Sequence, residues 1–223
     1  MKDLTIVMLT PNKVPKEWAL YHKKMLLEAI EDTPLITISN EPLDFGQNLI
    51  QTDYGVTNIY KQMFRAFKLA KTPFVAMADD DTLYSKEHFE FRPPMNKFAY
   101  NFNRWHLFTW GRAYYFHKPR PGNGLMIAPR KLAIKAIEAR FTKIGKGKMP
   151  TYLRQELGST IHVEKYDKAG FVSFYTYIPV VSFYHIQSCD PLNRHKRKVP
   201  WTIQAFDLPK WRKAKHLRKK FNE

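Results

Sequence analysis

Phe74-Val75-Ala76-Met77-Ala78-Asp79-Asp80-Asp81 is the stretch on which the fold of this chain turns. Five apolar residues in a row describe a strand buried on both faces, and three carboxylates follow it with no spacer. Adjacent carboxylates repel one another, so a cation or hydrogen-bond donors must offset them. A hard divalent cation takes carboxylate and phosphate oxygens together, which suits an acidic turn at a strand end to gripping a diphosphate. A solvated turn capping the next segment explains the same residues more plainly. The apolar strand that leads straight into the cluster favours the first explanation.

Upstream of this stretch, strand and helix signals alternate. Residues 4–9 form a short β-rich run that ends at the breaker Thr10-Pro11-Asn12, and residues 17–30 carry Trp18, Tyr21, Met25, Leu26 and Ile30 at helical spacing. Residues 35–39 read as a second strand, ending in Ser39-Asn40-Glu41. Residues 58–71 then place Ile59, Met63, Phe64, Phe67 and Ala70 on one helical face before Thr72-Pro73 stops them. This alternation predicts an α/β fold of Rossmann type: a mostly parallel sheet with helices on both faces and ligands beyond the carboxyl ends of the strands. Thr10, Pro11, Asn12, Ser39 and Asn40 are therefore candidates for a rim that receives a base and ribose, although turn chemistry alone accounts for their composition.

Downstream the pattern changes to a mixed half. Residues 98–103, 107–110 and 113–117 are short aromatic-rich runs resembling antiparallel strands, followed by the loop Lys118-Pro119-Arg120-Pro121-Gly122-Asn123-Gly124. Gly122, Asn123 and Gly124 let backbone pass close to a sugar or diphosphate, and a plain hairpin explains them equally well. Trp105 and Trp110, with Arg104 and Arg112 beside them, can stack a sugar ring or nucleobase, but core packing is the commoner fate of tryptophan. Helices are expected over 129–143 and 151–157, and strand over 173–184 with a break at Pro179. There is no internal repeat.

At 223 residues, with 44% hydrophobic and 15% aromatic residues, the chain has enough apolar material for one core, which excludes global disorder. Lys and Arg number 37 against 20 acids, a net charge of +17 that favours polyanionic partners. Residues 194–223 hold eleven Lys or Arg against two acids, so the expected organisation is a domain over 1–193 and a basic extension over 194–223. Within that extension Lys196, Arg197, Lys198, Trp211, Arg212 and Lys213 are candidates for a phosphate backbone, and a peripheral membrane face is the alternative. A single cysteine, Cys189, permits no internal disulfide and fits a reducing compartment. The apolar run at 4–9 is too short for the core of a signal peptide, and no run approaches a membrane span. The expectation is a soluble, cytoplasmic protein.

An Asp-x-Asp motif at the end of a central strand, after two strand–helix units and before a mixed half, resembles the GT-A fold of nucleotide-sugar glycosyltransferases. The succession Asn58-Ile59-Tyr60-Lys61-Gln62-Met63, then Asp79-Asp80-Asp81-Thr82-Leu83-Tyr84, then His88-Phe89-Glu90-Phe91-Arg92-Pro93-Pro94 and Tyr100-Asn101-Phe102-Asn103-Arg104-Trp105 is similar to small family 2-like transferases, some of them phage-encoded. The resemblance implies a nucleotide-diphosphate sugar donor, of UDP type, and Mn²⁺ or Mg²⁺. By analogy Asp79 approaches the ribose or the metal, Asp80 lies at the nucleotide, Asp81 coordinates the metal, and His185 supplies a further ligand. The same histidine packed at a strand end is the plain alternative. An inverting reaction also needs a carboxylate base, and Glu156 stands where related enzymes carry an acidic pair, here Gln155-Glu156. The favoured acceptor is a 5-hydroxymethylated base in DNA, reached by flipping the nucleotide out, in the host cytoplasm if the protein is phage-encoded. A saccharide or lipid-linked glycan is the alternative acceptor. A non-catalytic nucleic-acid-binding protein and a two-metal nucleotidyltransferase are the rivals from other classes.

Overall fold

The computed structural model describes residues 1–53, 55–145, 149–159, 169–186 and 203–223. In chain order the elements are β1 (Leu4–Thr10), α1 (Lys16–Ile30), β2 (Leu35–Ser39), β3 (Gln47–Ile50), α2 (Val56–Leu69), β4 (Phe74–Asp79), β5 (Thr82–Leu83), α3 (Lys86–Glu90), β6 (Phe98–Asn101), β7 (Arg104–Phe108) and β8 (Tyr115–His117). After these come β9 (Met126–Pro129), α4 (Arg130–Ile144), β10 (Phe171–Phe174), β11 (Val180–Tyr184), β12 (Gln204–Ala205), β13 (Asp207–Leu208), β14 (Arg212–Lys213) and α5 (Ala214–Asn222).

The main sheet has seven strands in the order β10-β6-β9-β4-β1-β2-β3, all parallel except β9, which runs antiparallel to both its neighbours. The fold is thus α/β with a mostly parallel sheet, as the alternation of strand and helix signals predicts. Its chain path explains where a ligand can bind. From β1 the chain steps outward through α1 to β2 and β3, then returns through α2 to β4 on the other side of β1. Right-handed crossovers in opposite directions put α1 and α2 on opposite faces and open a crevice between the carboxyl ends of β1 and β4. Thr10 and Asp79 are the last residues of those two strands.

A second sheet, ordered β12-β8-β7-β11-β5, begins immediately beyond Asp79-Asp80-Asp81. The three aspartates are therefore the turn by which the chain passes from one sheet to the other. Two cores follow from this division. The larger fills the space between the main sheet and its helices, where Ile6, Tyr60, Phe67, Met77, Phe98 and Ile137 are fully buried. The smaller lies under the second sheet and gathers Trp18, Leu107, Tyr115, Phe183, Trp211, Leu217 and Phe221.

Of the basic stretch 194–223 the described part begins at 203, and there Leu208, Trp211, Ala214, Leu217 and Phe221 are buried in this second core, with the Phe221 ring stacked on Phe183 at 4.6 Å. The apolar residues of α5 recur at helical spacing, so one face packs inward while Lys215, Lys219 and Lys220 stay exposed. Among the described residues no helix is long and apolar enough to cross a membrane.

Candidate active site: the aspartate turn and its two cavities

The register of β1 against β4 pairs Leu9 with Asp79 and brings Thr10 beside the turn, where its hydroxyl donates to the Asp80 carboxylate. Trp18 Nε1, from α1, donates to the Asp80 carbonyl at 2.9 Å. On the opposite side β5 pairs antiparallel with β11, and the Phe183 amide donates to the Asp81 carbonyl at 2.8 Å. That pairing carries the chain beyond β11 toward the aspartates, so His185 Nε2 stands 3.5 Å from Asp81 Oδ2 with its side chain almost wholly buried. Phe221 braces this histidine from behind, ring to ring at 5.3 Å.

The turn is also held at its start. The Asp79 amide donates to the Tyr84 hydroxyl at 2.9 Å, and that hydroxyl donates to the Gly124 carbonyl at 2.7 Å. Gly124 is tied to the aspartate by close approach. A Cβ placed there would lie 2.0 Å from Asp79 Oδ2, so only glycine lets the carboxylate occupy its position. Gly122 has the same relation to Arg104, whose Nη1 would stand 2.4 Å from an added Cβ.

Burial and mutual repulsion raise the proton affinity of the first two acids. Desolvation, and then the Asp81 and Asp80 charges, push Asp79 up from 3.8 to about 7; desolvation and the Asp81 charge do the same for Asp80, against the Thr10 hydrogen bond. Beneath the turn His22 Nε2 contacts the Thr82 carbonyl at 3.0 Å, and burial lowers its pKa to about 4. That imidazole is neutral at physiological pH and does not offset the aspartates.

Two cavities meet here. The larger has a volume of about 400 Å³ and is lined by Leu9, Thr10, Pro11, Lys13, Val14, Asn40, Asp53, Gly55, Asn58, Ile59, Gln62, Met77, Asp79, Asp80, Asp81, Asn123 and His185. The smaller, about 160 Å³, is lined by Asp79, Asp81, Thr82, Arg104, His106, Ser182, Phe183 and Tyr184. Asp79 and Asp81 are common to both.

The predicted rim is largely assembled in the larger cleft. Thr10, Pro11, Asn40 and Asn123 line it, and so do the three aspartates and His185. Asn12 shapes the rim from behind it. Its left-handed backbone, φ 55°, lets Oδ1 accept from the Asn40 and Glu41 amides at 2.9 and 3.0 Å. Ser39 is buried and accepts from Asn48 Nδ2 at 2.8 Å. Asp53, just before α2, and Asn58 and Gln62 on its first two turns also line the cleft, with no role expected of them from the sequence. Their signal was positional: they follow β3, a polar edge strand, at the end of the sheet where α/β folds bind ligands.

The remaining candidates lie elsewhere. Glu156 lines neither cavity. The helix expected over 151–157 is a 3-10 turn, Thr151–Leu153, and Glu156 follows it in irregular chain whose carbonyls are held by Arg140. Trp105 donates through Nε1 to Asn103 and packs on His117, Trp110 packs on Phe108, and Arg112 lies over the Phe206 ring, so none of them reaches the cleft. Trp211 is 5% exposed and donates to the Pro179 carbonyl at 2.6 Å, which leaves no face for a base to stack on. Arg212 and Lys213 are exposed on β14. Arg104 lines the smaller cavity together with Asp79 and Asp81. Lys196, Arg197, Lys198 and Cys189 lie outside the described residues.

A divalent cation fits the cleft's chemistry. The donors are hard carboxylate oxygens with one imidazole, and Asn123 Oδ1, buried on the cleft wall, has no hydrogen-bond partner. Among the described residues no three His, Cys, Asp or Glu side chains converge closely enough to cage an ion by themselves. A site of this kind leaves coordination positions to water and to a ligand's phosphate oxygens.

No known protein family matches the sequence, and no curated protein does. Among solved structures, the chain is similar to the bifunctional IspDF from Campylobacter jejuni, at 12% identity and a TM-score of 0.40, over 78% of this chain and 49% of that one. It thus spans about half the length of that protein. It is also similar to a glycosyltransferase involved in the glycosylation of the major capsid of PBCV-1, at 13% identity and a TM-score of 0.44, over 86% of this chain and 97% of that one.

Proposed function

We propose that the protein is a metal-dependent glycosyltransferase that takes its sugar from a nucleoside-diphosphate donor bound in the larger cleft. The observation that carries this reading is the aspartate turn at the switch point of the sheet, with His185 beside Asp81 on a cleft of about 400 Å³. The cleft has the division a nucleotide needs. Leu9, Pro11, Val14, Ile59 and Met77 offer apolar surface to a base, Asn40, Asp53, Asn58 and Gln62 offer polar groups to base and ribose, and Lys13 offers a cation to phosphate. The amino end of α2 faces the same space, and its dipole favours an anion there.

Asp81 and His185 would hold Mn²⁺ or Mg²⁺, with Asp79 and Asn123 beside them. When bound, such an ion neutralises the negative charge that develops on the departing diphosphate. The chain's own contribution is to fix those ligands: Tyr84 anchors the start of the turn, Thr10 and Trp18 its middle, and β11 its end. The acceptor we propose is a hydroxyl on a polyanion, a 5-hydroxymethylated base in DNA. The net charge of +17 and the exposed cationic face of α5 support it.

Thermal unfolding with UDP, with and without Mn²⁺, tests the core of the reading. A ligand that binds only the folded chain stabilises it by about 2.7 kcal/mol at a hundredfold excess over Kd. UDP should raise Tm only when Mn²⁺ is present, and Asp81→Asn should abolish that rise while the unliganded protein melts normally. If neither UDP nor another nucleoside diphosphate shifts Tm with Mn²⁺ present, the glycosyltransferase reading fails.

A further inference from the structure

The smaller cavity, about 160 Å³, carries both signs of charge: Asp79 and Asp81 line it together with Arg104, His106, Ser182 and Tyr184. Arg104 is the unusual member. Its Nε is buried without a hydrogen-bond partner, and among the described residues no carboxylate comes within 4.0 Å of its guanidinium. A buried donor left unmade is costly, so a ligand acceptor is the natural partner.

More positive charge has been brought to the same place. Lys118 Nζ donates to the Tyr184 hydroxyl at 2.7 Å, and its amide donates to the Arg104 carbonyl at 2.9 Å. Arg104, Lys118 and Arg120 are near enough for their charges to act on one another. The Tyr184 ring that anchors Lys118 is held flat against His106, centroid to centroid 4.6 Å. Gly122 lets the Arg104 guanidinium lie against the backbone of its loop. The Asp79 charge also acts on Arg104 and offsets part of this positive charge, but it does not supply the acceptor that Arg104 Nε lacks.

We propose that this cavity seats the carboxylate or phosphate of an anionic substrate group, with Arg104 contacting it and Lys118 acting through Tyr184 as a positioning residue. The inference rests on the glycosyltransferase reading and narrows it. A nucleotide in the larger cleft has its diphosphate at Asp81, and the sugar beyond it passes the shared aspartate wall into the smaller cavity. The anion can belong to that sugar, as in a uronate, or to the acceptor, as in a sugar phosphate.

Calorimetry on the full chain with Mn²⁺ separates these cases. UDP-glucuronate is expected to bind about tenfold tighter than UDP-glucose or more, the gain of one charge-assisted hydrogen bond. The ratio should fall toward one in Arg104→Gln and in Lys118→Met, while UDP still binds both variants measurably. The lysine variant guards against misfolding of the arginine variant. If the two UDP-sugars bind alike but glucose 6-phosphate binds the UDP-loaded protein tightly, with the same dependence on Arg104, the anion is the acceptor's and the proposal stands. If neither pair is discriminated while UDP still binds, the anion site is overturned and the nucleotide reading survives. If UDP fails to bind, both fall.

Discussion

Gly124 and the Asp79 carboxylate occupy adjoining space, and that single contact decides whether the turn can be acidic at its first position. Gly124→Ala would place a methyl group 2.0 Å from Asp79 Oδ2, so the carboxylate or the loop must move. The expected cost is about 1–3 kcal/mol in stability, as for other overpacked sites. The Mn²⁺-dependent rise in Tm should weaken along with it; an unaltered rise would detach Asp79 from the metal site. The acids also predict a pH dependence. Asp79 and Asp80, raised from 3.8 to about 7, contribute stability that is present in full below about pH 4 and is lost as pH climbs through 7. His22 and His88, lowered from 6.5 to about 4 and about 3 by burial, act in the opposite sense: their contribution is full above pH 6.5 and is lost as pH falls through 4. Without metal, then, stability should decline on both sides of a mildly acidic maximum. Because Mn²⁺ competes with protons for the carboxylates, the shift it produces should grow between about pH 5.5 and 7.5. A shift that is flat across that range would contradict the raised values.

Two elements that do not touch a ligand control those that do. In α4 the buried Arg140 donates to the carbonyls of Leu153, Gln155 and Glu156 and lies over the Tyr60 ring, whose hydroxyl also donates to Gln155. Arg140→Leu removes the Leu153 carbonyl's donor while Gln155 keeps Tyr60 and Glu156 keeps Ser159, a loss of about 1–3 kcal/mol, and faster amide exchange over 153–157 would report it. In α5, Phe221 packs on Trp18, Phe183 and His185, all of which support the aspartate turn. Phe221→Ala should cost about 3–5 kcal/mol and also weaken metal-dependent UDP binding, whereas a remote core truncation of equal cost should spare binding. The elements divide by how local their causes are. The apolar runs of β1, β2 and β4 and the amphipathic face of α2 were legible within a residue or two, because periodicity and breakers lie in the local sequence. The edge strand β3 was not, since Gln47 and Asn48 read as loop, and Asn48 earns its place through hydrogen bonds to Thr37 and Ser39. The placing of His185 beside Asp81 depends on the pairing of β5 with β11, a contact a hundred residues apart in the chain. Long-range packing likewise puts Trp211 in the second core and Glu156 outside both cavities, because composition gives a residue's chemistry but not whether it faces ligand or core.

At the scale of the whole molecule the distribution of charge matters more than its sum. The net +17 includes cations held inside the fold, such as Arg140 in the core and Arg104 in the smaller cavity. What remains exposed on α5 is Lys215, Lys219 and Lys220, carried on a helix whose other face is sealed in the second core. Because Phe221 on that buried face contacts His185, a polyanion lying along the cationic face would be held within reach of the aspartate turn. This couples the proposed acceptor to the fold and yields a test of it. Association with duplex DNA should fall with salt at a log–log slope of about −0.9 for each phosphate neutralised. Reversing Lys213, Lys215 and Lys219 to Glu should flatten that slope while leaving the Mn²⁺-dependent UDP shift in place, since none of the three lines either cavity. Hydroxymethylated DNA should then be retained better than plain DNA only by the protein loaded with UDP and Mn²⁺. If the charge-reversed protein binds DNA with an unchanged slope, the cationic face of α5 is not the DNA surface. If hydroxymethylation makes no difference under any loading, the acceptor is not a base in DNA, and the smaller substrates named for the cavity at Arg104 take its place.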